Sequence, residues 1–313
     1  MDSWFMNNAK RILITGATGF IGRALSSRLI EAGYEVTALS RNPKKNSTLL
    51  PQKTRLIKWD GHSCDQLIDS VSGATAIVNL AGENIGTGRW TRAKKQRVIQ
   101  SRLNVSKAII YAVEQANPKP KVLIQASGIG YYGMRGEELL DEDSSGGTGF
   151  LAEVSTKWEE SIRPIENHNV RLAIIRLAPV LGKNAGMMAR LLPAFRFFLG
   201  CVPGTGRQWF SWVHLEDVVA VIQLLIENQD TRGIYNLSAP NPLQAKRFYR
   251  LLAKLMHRPT PVKIPAFALR LMLGEMADEL LMADQRAIPK KLLEKGYTFK
   301  YPTPESALTE ILS

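Results

Sequence analysis

Hydrophobic and polar positions follow two alternating rhythms along the first half of the chain. Short apolar runs stand at RILITG (11–16), YEVTALS (34–40), TAIVNLAG (75–82), KVLIQAS (121–127) and VRLAIIRLA (170–178), each bounded by turn-forming residues. Runs this continuously apolar predict strands covered on both faces, as in a parallel sheet. TRLIKW (54–59) predicts a further short strand. Between them, 20–33, 94–115 and 150–166 carry apolar residues at helical spacing. The alternation predicts βαβ units, and so a Rossmann-like, doubly wound α/β fold.

After Gly182 the rhythm changes. A helix is predicted over 187–199, kinked by Pro193, and another over 215–228, before a strand at 233–238 that returns to the main sheet. Beyond Pro240 the chain reads as helical and rich in proline, in 248–257, 265–283 and 289–295. The pattern predicts a cofactor domain over 10–182, rejoined by 209–238. A smaller, mostly helical substrate-side lobe is expected over 183–313, with 240–313 as its C-terminal segment.

Composition narrows the classes open to such a fold. The 313 residues, 45% of them hydrophobic, suffice for one substantial core and a lesser one. Cys64 and Cys201 are far apart and lack ligand-like spacing, which argues against a disulfide framework or a cysteine zinc site. No apolar run is long enough to span a bilayer, and MDSWFMNNAKR lacks the apolar core of a signal peptide. A cytoplasmic protein with no membrane partner is expected. The net charge of +13 gathers partly in RWTRAKKQRVIQSR (89–102), six basic residues with no acid. No nucleic-acid module accompanies it, so a nucleic-acid partner is not expected. The run reads first as a solvated helix face, and second as a surface attracting an anionic cofactor or substrate.

The sharpest motif is TGATGFIG (15–22), which follows a strand directly and opens a helix. In that setting Gly16 permits a tight turn, Gly19 lets backbone approach a pyrophosphate, and Gly22 allows close packing of helix on strand. Thr18, Phe20 and Ile21 complete the turn, where free N–H groups and the helix dipole favour phosphate. At the end of the second strand an NAD site would place an acid for the ribose 2′-hydroxyl. The chain instead has Ser40 and Arg41, and a guanidinium suits a 2′-phosphate. NADP(H) is therefore expected over NAD(H).

With NLAG (79–82), ASGIGYYG (126–133), FSWVHLEDVV (210–219) and YNLSAPNP (235–242), this turn resembles the extended short-chain dehydrogenase/reductases of the NAD-dependent epimerase/dehydratase superfamily. More narrowly the chain resembles their atypical branch of epimerase-family proteins, the YfcH-like group. That branch's distinctive C-terminal segment is similar to residues 264–302 here. The likeness runs from about residue 10 to the end. It implies cofactor contacts at Arg41, Leu80, Ala81 and Gly82, with Asp60 near the adenine.

The resemblance also shows what is missing. The superfamily's Tyr and Lys stand four apart on one helix face, where the Lys lowers the pKa of a Tyr proton donor. Aligning Glu159 with the family's downstream acid puts Leu151 and Ser155 at those positions, and no YxxxK occurs anywhere in the chain. Ser127 ends the fifth strand, where the polarising serine belongs, and Asn104 falls near the superfamily's proton-relay asparagine. Ser127 and Tyr132 are expected to line the nicotinamide pocket, with Tyr131 or Tyr132 as the substitute acid. That these residues only shape the pocket is an equal reading.

Nucleotide-sugar enzymes of the superfamily resemble RxFxxVxD, but matching Asp217 to the final acid places Phe210 at the arginine, with Arg207 three residues away. Gln208, Trp209 and Trp212 instead predict walls for something flatter or more apolar. Ser211, His214 and Asp217 read as a helix start, not a metal site. EELLDEDSSGGTG (137–149) reads as a mobile loop over the active site. Two functions stay open. One is an NADP(H)-dependent oxidoreductase or isomerase acting on an unidentified small molecule. The other is a catalytically reduced NADP(H) sensor or scaffold, which the resemblance associates with cell division. A homo-oligomer is compatible with either.

Overall fold

The computed structural model describes residues 10–183, 185–259 and 262–313. The N-terminal segment read above for a signal sequence lies almost wholly outside them. Seven parallel strands form the central sheet: β1 (Arg11–Thr15), β2 (Glu35–Ser40), β3 (Arg55–Lys58), β4 (Ala76–Asn79), β5 (Val122–Gly128), β6 (Arg171–Leu177) and β7 (Gly233–Leu237). Their order is β7-β6-β5-β4-β1-β2-β3, the doubly wound arrangement, with the chain reversing direction between β1 and β4. The strand expected at 233–238 does return to this sheet, pairing Ile234 with Ile174.

Side chains alternate across the sheet, and both faces are dry. Ile12 and Ile14 of β1 join Val122 and Ile124 of β5 on one face. There they meet Leu25 and Leu29 of α1 (Phe20–Glu31), and Val218 and Ile222 of a later helix, Leu215–Glu227. Leu13, Ile77 and Leu123 point the other way, onto α2 (Asp65–Val71), α3 (Arg92–Gln115) and α4 (Phe150–Ile162). Two covered faces explain the continuous apolar strands.

A second core sits beyond the sheet edge. There α5 (Met188–Arg196), followed in the chain by α6 (Leu215–Glu227), packs with α7 (Ala245–Leu255) and a terminal helix, Pro304–Leu312. Trp212 is fully buried at this junction, so it is core and not a pocket wall as expected. The stretch 265–283 is not one helix: it breaks at Gly274 into α8 (Ala266–Leu273) and a wide turn, Ala277–Leu281. Two further helices, α9 (Lys290–Glu294) and α10 (Pro304–Leu312), complete the chain.

Segment 137–149, expected as a mobile loop, is pinned. Leu139–Leu140 pairs with Arg286–Ala287, and Lys290 bridges Asp141 and Asp143. The buried Glu142 carboxylate accepts from the Asn236 and Lys291 amides at 3.0 and 3.3 Å. The sequence hides this because the anchors lie roughly 150 residues downstream.

Candidate functional site

The reversal of strand order opens a crevice at the C-terminal ends of β1, β2 and β4. Its space is about 410 Å³, walled by the first turn (Gly16, Thr18, Gly19), the second (Ser40 to Asn42, Asn46), Asp60, and Leu80 to Gly82. Asn104 and Ser101 of α3 close one side. Sequence reasoning named about half of these lining residues; among those it missed are Asn42, Asn46, Trp59, His62, Glu83 and Ser101.

The first turn is built from close approaches. Gly16 has φ +71°, and a Cβ there would stand 2.7 Å from the Leu80 carbonyl. A Cβ on Gly22 would lie 2.5 Å from the Gly16 oxygen. Both glycines are therefore required by backbone contact. Phe20 and Ile21 begin α1, where helix N–H groups lack intrahelical acceptors. The Phe20 ring turns away, against Gly182 and Gly186.

At the end of β2 the Ser40 hydroxyl accepts from the Asn42 amide at 3.2 Å and from Asn46 Nδ2 at 2.9 Å. Arg41 is exposed on the cleft beside them. Asp60 lines the cleft, but its Oδ1 accepts from the His62 and Ser63 amides, each at 2.8 Å, and Oδ2 accepts the Ser63 hydroxyl. Its partial burial works against ionisation, yet these donors prevail and hold the carboxyl down to about 2. Beneath the cleft a buried chain runs from the Thr15 hydroxyl to Asn79 Oδ1 at 2.5 Å and from Asn79 Nδ2 to Gln125 Oε1 at 2.9 Å. It locks the ends of β1, β4 and β5 together.

The basic run 89–102 is only partly a solvated face. Lys94 is buried and donates to Glu83 at 2.8 Å at the rim of the cleft. Arg102, also buried, donates to the Glu83 and Val98 carbonyls, and its guanidinium lies 4.6 Å from the Trp158 ring centre. Burial lowers the Arg102 pKa to about 10, against the opposing pull of Glu83.

The expected catalytic residues do not gather at the cleft. Ser127 donates its hydroxyl to Glu159 Oε1 at 2.7 Å. Glu159 in turn takes two 2.9 Å bonds from Arg176, all within the core. Arg176 donates to the Tyr132 hydroxyl at 3.1 Å, and that hydroxyl meets Asn236 Oδ1 at 2.7 Å and the Asp141 carbonyl at 2.8 Å. Tyr132 is fully buried, so it lies in the core and away from the cleft where it was expected. Burial pushes its hydroxyl up to about 12, despite the opposing Arg176 charge. Tyr131 is half-buried, with Arg176 stacked 3.4 Å from its ring centre. Asn104 stands apart, on the cleft wall. A signal for this network was visible: Arg176 interrupts an otherwise apolar strand, and a charge buried there requires a partner.

Farther along the same sheet edge, past β5 and β6, lies a narrow pocket walled by Ile129, Pro179, Met187, Trp209, Tyr249 and Leu281. Gln208, Phe210, Ser211 and Gln285 also face it. Much of its polar capacity is already used: Gln208 donates to the Pro203 carbonyl, Ser211 to the Gln285 carbonyl, and Gln285 to the Gly133 carbonyl. Among the described residues no charged side chain lines it, and Arg207 is exposed elsewhere. His214 caps α6 through Nδ1, whereas Asp217 accepts the Lys300 and Tyr301 amides and Ser211 accepts that of Ala287. The helix start expected of all three is carried by His214 alone.

These features define a Rossmann-like α/β protein with a crevice at its switch point. The profile of the NAD dependent epimerase/dehydratase family matches residues 12–238, and the chain belongs to that family. A second profile, Domain of unknown function (DUF1731), matches residues 264–311. The chain is 35% identical over 305 residues to epimerase family protein YfhF of Bacillus subtilis, covering 96% of this chain and 98% of that protein. It is 35% identical to the chloroplastic SDR39U1 homolog of Arabidopsis thaliana, covering 96% and 86%. The crystal structure of human epimerase family protein SDR39U1 with NADPH superposes with a TM-score of 0.87 at 32% identity, covering 96% of this chain and 98% of that one. Among the described residues no helix is long and apolar enough to cross a membrane.

Proposed function

We propose that the protein binds NADP(H) in the crevice and acts as an oxidoreductase or isomerase on a small, largely apolar molecule. The observation that carries this reading is the pairing of a backbone phosphate cradle at Gly16–Gly22 with a second turn bearing Ser40, Arg41 and Asn46 and no acid. A 2′-phosphate would meet the Arg41 guanidinium and amide donors there, where a carboxylate would repel it. The NADPH in the human relative's structure supports the same assignment. Leu80, Ala81 and Gly82 would flank the cofactor, and Asp60 would border its adenine end. Bound there, the cofactor would supply a hydride donor or acceptor.

The chain's own residues determine what surrounds that chemistry. The apolar pocket beside β5 and β6, narrowed to about 30 Å³, offers no cation for a diphosphate among the described residues, which disfavours a nucleotide-sugar. Ser127 donates its hydroxyl proton to Glu159, so in this arrangement it does not donate one to a carbonyl. Tyr132 is sealed from solvent and serves to hold Asn236 and Asp141. Of the two tyrosines only Tyr131 has partial access to solvent, and it is the side chain proposed to give the proton.

The test is a fluorescence titration with NADPH and NADH, followed by nicotinamide absorbance during incubation with a panel of apolar carbonyl compounds. Tight NADPH binding and turnover that falls in Tyr131→Phe support the proposal. The saturation of Ser127, Glu159, Arg176 and Tyr132 by one another favours the second reading, an NADP(H) sensor or scaffold. Tight binding with no turnover across the panel would select it. Absence of NADPH binding would overturn both.

A further inference from the structure

The apolar pocket past β5 and β6 keeps polar capacity on three buried side chains. Gln208 and Gln285 are each 8% exposed and Tyr249 is 5% exposed, and all three wall the pocket. Gln208 Nε2 donates to the Pro203 and Leu281 carbonyls at 3.0 and 3.4 Å, and Gln285 Nε2 donates to the Gly133 carbonyl at 3.0 Å. Turning either amide over would set its oxygen against a carbonyl oxygen, so both orientations are fixed. Among the described residues neither Oε1 accepts a hydrogen bond, and the Tyr249 hydroxyl has no partner. None of these three atoms is among the fully enclosed side-chain atoms that lack a partner. Three residues more than nine-tenths buried thus keep open polar atoms, and the pocket is the cavity they share.

Other polar side chains on these walls are already bonded. Trp209 Nε1 donates to Glu137, and the Ser211 hydroxyl accepts the Ala287 amide while donating to the Gln285 carbonyl. Ile129, Pro179, Met187 and Leu281 supply apolar contact. Tyr249 is held in the second core, its ring stacked 6.4 Å from Phe195 and edge-on 5.6 Å from Phe248. Burial pushes its hydroxyl above the ordinary tyrosine value, so it stays protonated and can donate.

What remains open is two amide oxygens and one phenol, with no charged side chain on the described walls. Buried acceptors left unpaired are costly, so such a set selects its complement. A primary carboxamide is that complement: two N–H groups meet the oxygens, and its C=O accepts from the phenol. A hydroxyl has one proton to give. A carboxylate has none, and would be buried against two oxygens without a cation. The free space of about 30 Å³ amounts to roughly two water-sized positions, which suits a small polar end group and not a ring. The apolar body of the ligand would rest against Trp209 and Phe210, both half-buried.

We propose that this pocket recognises an unsubstituted carboxamide on a small, uncharged, apolar ligand. Gln208 and Gln285 accept its N–H groups, and Tyr249 donates to its carbonyl oxygen. The carboxamide would thus mark the substrate class of the proposed oxidoreductase or isomerase, a role that rests on the reading of the crevice as an NADP(H) site. Water bridging the two amide oxygens is the competing occupant.

The test is ligand-observed NMR titration of the full chain with benzamide, benzoate, acetophenone and N,N-dimethylbenzamide, with and without NADPH. The four share a phenyl ring and differ in charge and in N–H donors. Benzamide should bind about tenfold or more tightly than each of the others. Tyr249→Phe should weaken benzamide about fivefold or more and leave the unfolding midpoint unchanged or raised, because the lost hydroxyl has no protein partner. Gln208→Met and Gln285→Met should erase the preference for benzamide over acetophenone. If either fails to fold, Tyr249→Phe carries the comparison. No benzamide binding, or similar affinities across the four compounds, overturns the proposal and leaves the amide oxygens to water. So does a preference for benzamide that survives in Tyr249→Phe, which would place the amide elsewhere. Displacement of benzamide by NADPH would assign the pocket to the cofactor's own carboxamide and overturn the substrate role. A parallel NADPH titration judges the cofactor reading separately. Amide binding without NADPH binding would uphold the pocket and sink the proposed function; NADPH binding without amide binding would do the reverse.

Discussion

The Glu279 carboxylate accepts the backbone N–H of Leu151 at 2.7 Å, and its other oxygen accepts that of Phe150 at 2.6 Å. The C-terminal segment thus closes over the N-terminal end of α4. A carboxylate at a helix N-terminus satisfies free N–H groups and complements the dipole. The contact also holds the Ala277–Leu281 turn, part of the apolar pocket's wall, against the main body.

Glu279→Ala should therefore destabilise the protein by about 1 kcal/mol, the usual effect of losing a helix cap. Glu279→Gln should retain part of that contribution. Urea unfolding of the three proteins decides the matter, and coincident midpoints would exclude a capping role.

Arg41→Asp should weaken NADPH binding about tenfold or more, roughly 1.4 kcal/mol, and leave NADH binding far less affected. The reversed charge faces a 2′-phosphate in one case and a hydroxyl in the other. Parallel fluorescence titrations measure the ratio, and equal losses for the two dinucleotides would remove Arg41 from the specificity site.

The Glu159–Arg176 pair is buried and bonded on both sides. Removing one partner leaves an uncompensated charge in the core, so Arg176→Met alone should cost about 3–5 kcal/mol. Adding Glu159→Leu should recover much of that loss. A double-mutant cycle by urea denaturation checks the coupling. Additive losses would mean that the pair contributes little as a unit.

Tyr132 gives a pH signature. Its hydroxyl titrates at about 12 in the folded protein against 10.0 in an unfolded chain. The folded state thus holds the proton longer, and this contribution to stability is complete below about pH 10 and lost as pH rises toward about 12. Tyr132→Phe should be less stable than the parent at neutral pH because it loses its bonds to Asn236 and Asp141. That gap should narrow by roughly 2–3 kcal/mol across the alkaline window. Denaturant melts on either side of pH 10 test this, and a constant gap would contradict the assignment.

The crevice was legible in the sequence because its parts are local. A strand, a glycine turn and a helix are contiguous in 11–31, and the residues proposed to set cofactor preference follow directly at the end of β2. The polar core was not legible, since Ser127, Glu159, Arg176 and Asn236 come from four separate elements that only the sheet order brings together. Tyr132 shows the difference clearly: it is close in sequence to Ser127, yet it turns into the core because Arg176 and Asn236 supply partners there.

By itself, the order of apolar and polar residues determined the sheet, its two covered faces and the glycine turn at the head of α1, because strand, turn and helix propensities act over a few neighbouring positions. Tertiary structure alone decided which polar groups are consumed, which loop is pinned and which apolar residues face outward. Those outcomes depend on burial and on partners mostly tens of residues away in the chain, up to 149, and no local pattern encodes a contact of that range.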